Sequence, residues 1–266
     1  MLRSLKELEG YKVGATDGDL GHVVNVLVDD HRWTVRYLVV DTSGFFELER
    51  DVLLSPISFG QTEWAARRFN VNLTKERVRK SPGLDTHQPV SRVRELEYSA
   101  YYGYPAYWGD VGIWGMGAYP SLLAGGPWSV PAEDAPRSGD HHLRSVRELR
   151  GYHLQGRDGV VGHVADFIAD DETWEVRYLV VDTSDWWFGK RVLVAPQWAS
   201  AISWDERTVS VDLSREAVKA APEWVLGTTI DRAYEQRLYA AYGRSTYWAD
   251  VPVSERPTAP RPEPRT

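Results

Sequence analysis

The chain has 266 residues, of which 42% are hydrophobic and 26% charged, with a net charge of −7. That length suggests one large domain or two small ones. The absence of cysteine excludes disulfides, thiolate metal sites and cysteine nucleophiles and agrees with a reducing cytoplasm, the expected location.

The acidic balance opposes a nucleic-acid surface, which needs clustered Lys and Arg. Residues 1–110 carry 14 basic against 16 acidic side chains and residues 142–250 carry 13 against 17, so neither part hides a basic domain. No apolar run approaches the ~18 residues of a membrane helix, and the opening MLRSLKELEG reads as neither span nor secretory signal. Twelve tryptophans are the oddity of composition and require large apolar surfaces to cover.

In chain order, Tyr11–Gly14 leads through Asp17-Gly18, a dipeptide suited to a tight turn, into His22–Val28. The polar turn Asp29–Arg32 then precedes Trp33–Val40, whose nearly continuous apolar character predicts a strand covered on both faces. Val52–Leu54 ends at Ser55-Pro56, and Phe69–Leu73 alternates with period two. Thr74 is a predicted N-cap of a short helix ending before Pro82, and a second helix is predicted from about Ser91 to Tyr101. That helix runs into an aromatic knot, Tyr101 to Trp108, with Gly103 where it must stop.

The pattern is then written again. Trp33 to Ser43 recurs as Trp174 to Ser184 with ten identities in eleven, at an offset of 141 that also relates Leu2-Arg3-Ser4 to Leu143-Arg144-Ser145. From Pro56 against Pro196 the offset is 140 and carries Trp64 to Trp204 and Tyr107-Trp108 to Tyr247-Trp248. The reading is an internal duplication, with copy one at 1–110 and copy two at 142–250. Residues 111–141 form a Gly/Pro/Trp linker able to dock, and residues 251–266 a Pro-rich tail expected to be disordered. In copy two Ser214 is the N-cap equivalent to Thr74, and the late helix runs from about Asp231 to Tyr242.

The strand with Asp-Gly and Gly-x-Val, the Asp-Asp turn and the Arg-Tyr-Leu-Val-Val-Asp-Thr strand resemble the PRC-barrel family. This family includes the cytoplasmic domain of the photosynthetic reaction-centre H subunit and the C-terminal domain of a ribosome maturation factor. The matched stretches are Leu2–Pro82 and Leu143–Pro222. The resemblance implies a mainly β chain of two small closed barrels, each followed by a short α-helix. It implies a bacterial assembly or regulatory surface without catalytic residues.

His22 and His163 follow a glycine at equivalent strand entries, but one imidazole per barrel makes no site, and the candidate helpers Asp17, Asp19, Asp29, Asp158 and Asp170 sit in turns that favour Asp. Asp41 and Asp182 end the apolar strand before Thr-Ser and are read as structural carboxylates receiving backbone N–H bonds. No Gly-x-Ser-x-Gly elbow or phosphate-binding loop occurs, so no catalytic residue, cofactor or metal site is expected. The functional lead is aromatic: Phe45, Phe46, Trp186, Trp187 and Phe188 in loops after the apolar strand, and Trp108 and Trp248 in the knots, are candidate partner contacts.

The expected function is a non-enzymatic protein-interaction module whose barrels pack about a pseudo-two-fold axis, with the late helices exchanged between copies. The partner is an unidentified protein or a second copy in a homodimer; nucleic acid is not expected, and peripheral membrane contact is left open. Two alternatives stand beside it: a peripheral subunit of a membrane electron-transfer assembly, and a small-ligand binder or enzyme at the barrel junction.

Overall fold

The computed structural model describes residues 1–44, 50–83, 90–108, 112–115, 117–124, 126, 142–184 and 189–249. The first part supplies β1 (Leu2–Ser4), β2 (Lys12–Ala15), β3 (Gly18–Asp29), β4 (Thr34–Asp41), β5 (Asp51–Leu54) and β6 (Arg68–Asn70), then α1 (Lys75–Arg79) and α2 (Arg92–Tyr102). The second supplies β7 (Leu143–Ser145), α3 (Val146–Leu149), β8 (His153–Gly156), β9 (Gly159–Asp170), β10 (Val176–Asp182), β11 (Arg191–Val194), β12 (Ala199–Ser203) and β13 (Thr208–Val211), then α4 (Arg215–Ala220) and α5 (Arg232–Ala241). The chain is mainly β. Among the described residues no helix is long and apolar enough to cross a membrane.

Local chemistry accounts for the element ends. Thr74, Ser91, Ser214 and Asp231 each accept a backbone N–H three residues on, capping α1, α2, α4 and α5. Gly103 stops α2 in the left-handed region at φ 72°. The two central strands, β4 and β10, are buried along nearly their whole length, as their continuous apolar sequences require.

One sheet has the order β5-β4-β3-β2-β6 and the other β11-β10-β9-β8-β13-β12. The pairs β2–β6 and β8–β13 are parallel and the remainder antiparallel. The long strands β3 and β9 each run past their hairpin partner, leaving half an edge open. Each open half is filled from the other part of the chain: β1 pairs with β9, Leu2 opposite Asp170, and β7 pairs with β3, Leu143 opposite Asp29. The two registers are reciprocal at the offset of 141.

Closed hydrogen-bonded cylinders are not detected among the described pairings; the open edges of β3 and β9 are covered by exchanged strands, which removes the edge hazard there. One expectation needs correction. The late helices do not exchange. Tyr98 of α2 packs edge-on against Tyr37 of β4, and Tyr239 of α5 against Trp198, each within its own part.

Candidate interaction site at the seam

The two parts meet along a seam of strand pairing, ion pairs and aromatic contacts. At its centre Thr34 bridges Glu175, with Val35 N–H donating to the Trp174 carbonyl at 2.8 Å and Val176 N–H to the Trp33 carbonyl at 2.6 Å. Both tryptophans hold positive φ, 49° and 60°, a conformation a bulky side chain adopts only under tertiary constraint. Glu9 and Arg150, also 141 apart, form an ion pair across the seam.

Flanking contacts repeat on both sides. Ser4 donates its hydroxyl to Asp166, while at the equivalent place Asn25 donates its amide to Ser145 at 2.8 Å. Arg3 meets Asp171 at 3.0 Å and Arg144 meets Asp30 at 2.9 Å, and each guanidinium also lies over a tryptophan ring, Trp64 or Trp204. Burial pushes the Asp166 carboxyl up, opposed by the Ser4 hydroxyl and the amides of Phe167 and Lys6.

Beside Asp166 the seam opens into a cleft of about 260 Å³, lined by Ser4, Lys6, Asp166, Arg191, Trp224 and Leu226 among others. Leu226, which lines it, is more than half exposed, as is the preceding Val225. The cleft thus combines both charge signs with an uncovered apolar edge.

Beneath each sheet lies a buried ionic knot. In β4 the register shifts between Leu27–Tyr37 and Val28–Val35, making Arg36 the extra residue of a β-bulge. At this bulge Arg36 is 1% exposed, pairs with Asp29 at 3.1 Å and lies over the rings of Tyr107 and Trp114. Burial pushes the Asp29 carboxyl up, but the Arg36 charge and the amides of His31 and Arg32 outweigh it and hold the group below the usual range. Glu95 of α2 accepts from the Tyr107 hydroxyl and pairs with Arg92 at 3.3 Å; burial pushes its carboxyl up to about 7. The other half repeats it in part: Arg177 is the extra residue of a bulge in β10 and lies over the Tyr247 ring but is part-exposed and pairs with Glu175 at 2.8 Å, while Glu235 is buried and takes Tyr178, Tyr247 and Arg232.

The sequence-predicted residues fall into three groups. Phe45, Phe46, Trp186, Trp187 and Phe188 lie outside the described residues, as does the tail. Trp108 and Trp248 are half-buried, each under an arginine, Arg92 or Arg232, at 4.6 and 4.3 Å. Asp41 and Asp182 are part-exposed and accept the amides of Ser43 and Ser184 at 2.8 and 2.9 Å.

The Ser43 hydroxyl and amide hold the Asp41 carboxyl below its usual range. Burial raises that of Asp182, and the stronger pull of Ser184 and Arg191 leaves it low as well. His22 stands 3.7 Å from the Asp41 carboxylate rather than beside the candidate helpers Asp17, Asp19 and Asp29. Asp17 and Asp158 instead accept the first amides of α1 and α4, Asp19 pairs with Arg68, and Asp170 accepts amides of its own turn. The linker's Trp114 is buried and donates to the Thr173 carbonyl at 2.8 Å.

Sequence reasoning missed the cluster Asp30, His31 and His142, in which a carboxylate oxygen and one nitrogen of each imidazole lie within 4.8 Å of one another. The polar turn holding Asp30 and His31 was visible, but His142 reaches it only through the β7–β3 pairing.

A family model of the PRC-barrel domain matches residues 141–218, from just before β7 into α4. No curated protein matches the chain.

Proposed function

We propose that the chain is a non-enzymatic assembly module built from two PRC-type units, arisen by duplication and joined about a pseudo-two-fold axis, which binds a protein partner across the seam. The PRC-barrel match supports this reading, since the domain is often used in assembly or interaction. The reciprocal registers of β1 and β7, at the offset seen in the sequence, support the doubled unit.

The observation that carries the partner surface is the cleft beside Asp166, which exposed Leu226 lines together with Lys6 and Arg191. Uncovered apolar side chains rimmed by charge are the usual composition of a protein contact. The buried carboxylates Asp29, Glu95 and Glu235 are engaged in holding β4, α2 and α5, a use that favours architecture over turnover.

Co-purification of the tagged chain from native extract, with mass spectrometry, tests this against Leu226→Glu. A protein retained by the wild type and lost at least tenfold by the variant is the expected result. An unchanged set of proteins would remove the cleft as the contact surface. Recovery only with a membrane electron-transfer complex would replace the reading with that of a peripheral subunit.

A further inference from the structure

We infer that Asp30, His31 and His142 form a binding site for one divalent transition-metal ion, Zn²⁺ foremost, that fastens the exchanged strand β7 to the turn following β3. The site is independent of the partner surface proposed above. Asp30 and His31 stand in the turn between β3 and β4, and His142 immediately precedes β7, with its carbonyl accepting the Asp30 N–H at 3.0 Å. Pairing of β7 with β3 therefore brings donors from both parts of the chain to one point.

Three observations point to a cation. The Asp30 side chain is 8% exposed, and its Oδ1 is buried without a hydrogen-bond partner, whereas Oδ2 is fixed by Arg144 at 2.9 Å. A buried carboxylate oxygen left in this way is costly unless a positive group meets it. Second, the nearest nitrogens are His142 Nδ1 at 3.6 Å and His31 Nε2 at 3.9 Å. These distances are long for hydrogen bonds but close to the roughly 3.4 Å that separates neighbouring ligands on one tetrahedral ion with bonds of about 2.0–2.1 Å.

Third, the two imidazole rings already stand side by side, with centroids 3.9 Å apart, so a small reorientation of the exposed His31 ring brings both nitrogens onto one ion. Two imidazoles and a carboxylate suit zinc, nickel or copper better than magnesium or calcium, which prefer all-oxygen shells. The Arg144 contact orients the carboxylate in the manner of the outer hydrogen bonds found around metal ligands. At the other end of the seam Met1 and Glu172 occupy the places of His142 and His31, so the two-imidazole donor set is not repeated there.

Isothermal titration of the full chain, prepared without a polyhistidine tag and stripped with chelator, with ZnCl₂ tests the site. One equivalent should bind. His31→Ala and His142→Ala should each weaken binding at least tenfold, and His22→Ala should leave it unchanged. The His31 side chain is 66% exposed, so its loss leaves packing intact.

Co²⁺ in place of Zn²⁺ should give visible d–d absorption that both variants lose. Metal at about a hundredfold excess over Kd should raise the unfolding midpoint on the order of 5–10 °C. Absence of saturable binding, or binding equal in wild type and both variants, would overturn the inference.

Discussion

At the scale of single residues, Glu95 illustrates how burial reverses ordinary acid behaviour. Its carboxyl holds a proton up to about 7 in the folded chain, against an ordinary 4.5. The folded state therefore binds an extra proton between those values. The stability this group contributes is fully present below about pH 4.5 and is lost as pH rises through 7, by on the order of 3 kcal/mol.

Glu95→Gln should flatten that fall, so the difference in urea-unfolding free energy between pH 5 and pH 8 should shrink relative to wild type. An unchanged slope would assign the pH dependence to other groups. Arg36 shows a different residue-scale effect. Its type and strand position were legible, but that the cation is buried and met by Asp29, Tyr107 and Trp114 depends on residues that folding brings to it.

Among elements, the close approach of β3 to β4 and of β9 to β10 depends on glycine. A Cβ on Gly21, at φ 152°, would lie 1.9 Å from the Asp41 carbonyl oxygen, and one on Gly162 would lie 2.2 Å from that of Asp182. Gly21→Ala should destabilise by about 2–4 kcal/mol, since backbone must move on both sides. Gly10→Ala, with φ 80° but no atom within 4 Å of the added carbon, should cost only about 1 kcal/mol. Thermal unfolding of the two variants separates steric approach from backbone conformation; equal losses would show that the contact is not limiting.

The strand boundaries themselves were largely readable. The predicted apolar strand from Trp33 to Val40 is β4, shifted by one residue, and the caps Thr74, Ser91, Ser214 and Asp231 stand where hydroxyl or carboxylate chemistry puts them. The exchange of β1 and β7 was not readable. Three-residue strands carry too little periodicity to announce their partners.

For the whole molecule, that exchange makes each part incomplete without the other. Residues 1–110 alone would leave half an edge of β3 bare, and residues 142–250 would do the same to β9. Each expressed separately should self-associate or aggregate, and mixing the two should yield a one-to-one complex by size-exclusion chromatography with light scattering. Two stable monomers, each as resistant to denaturant as the full chain, would show that the seam adds nothing.

The division between sequence and tertiary structure follows from the range of the forces involved. Strands, caps, turns and the apolar run of β4 are set by neighbours a few residues apart, through sterics, hydrogen bonding and apolar periodicity, and these, with the repeat offset read by comparing the two stretches, the sequence alone determined. The seam, the buried Arg36, the elevated Glu95 and the meeting of His31 with His142 join residues brought together by folding. Burial, desolvation and cross-strand register have no local signature, and only the assembled structure decided them.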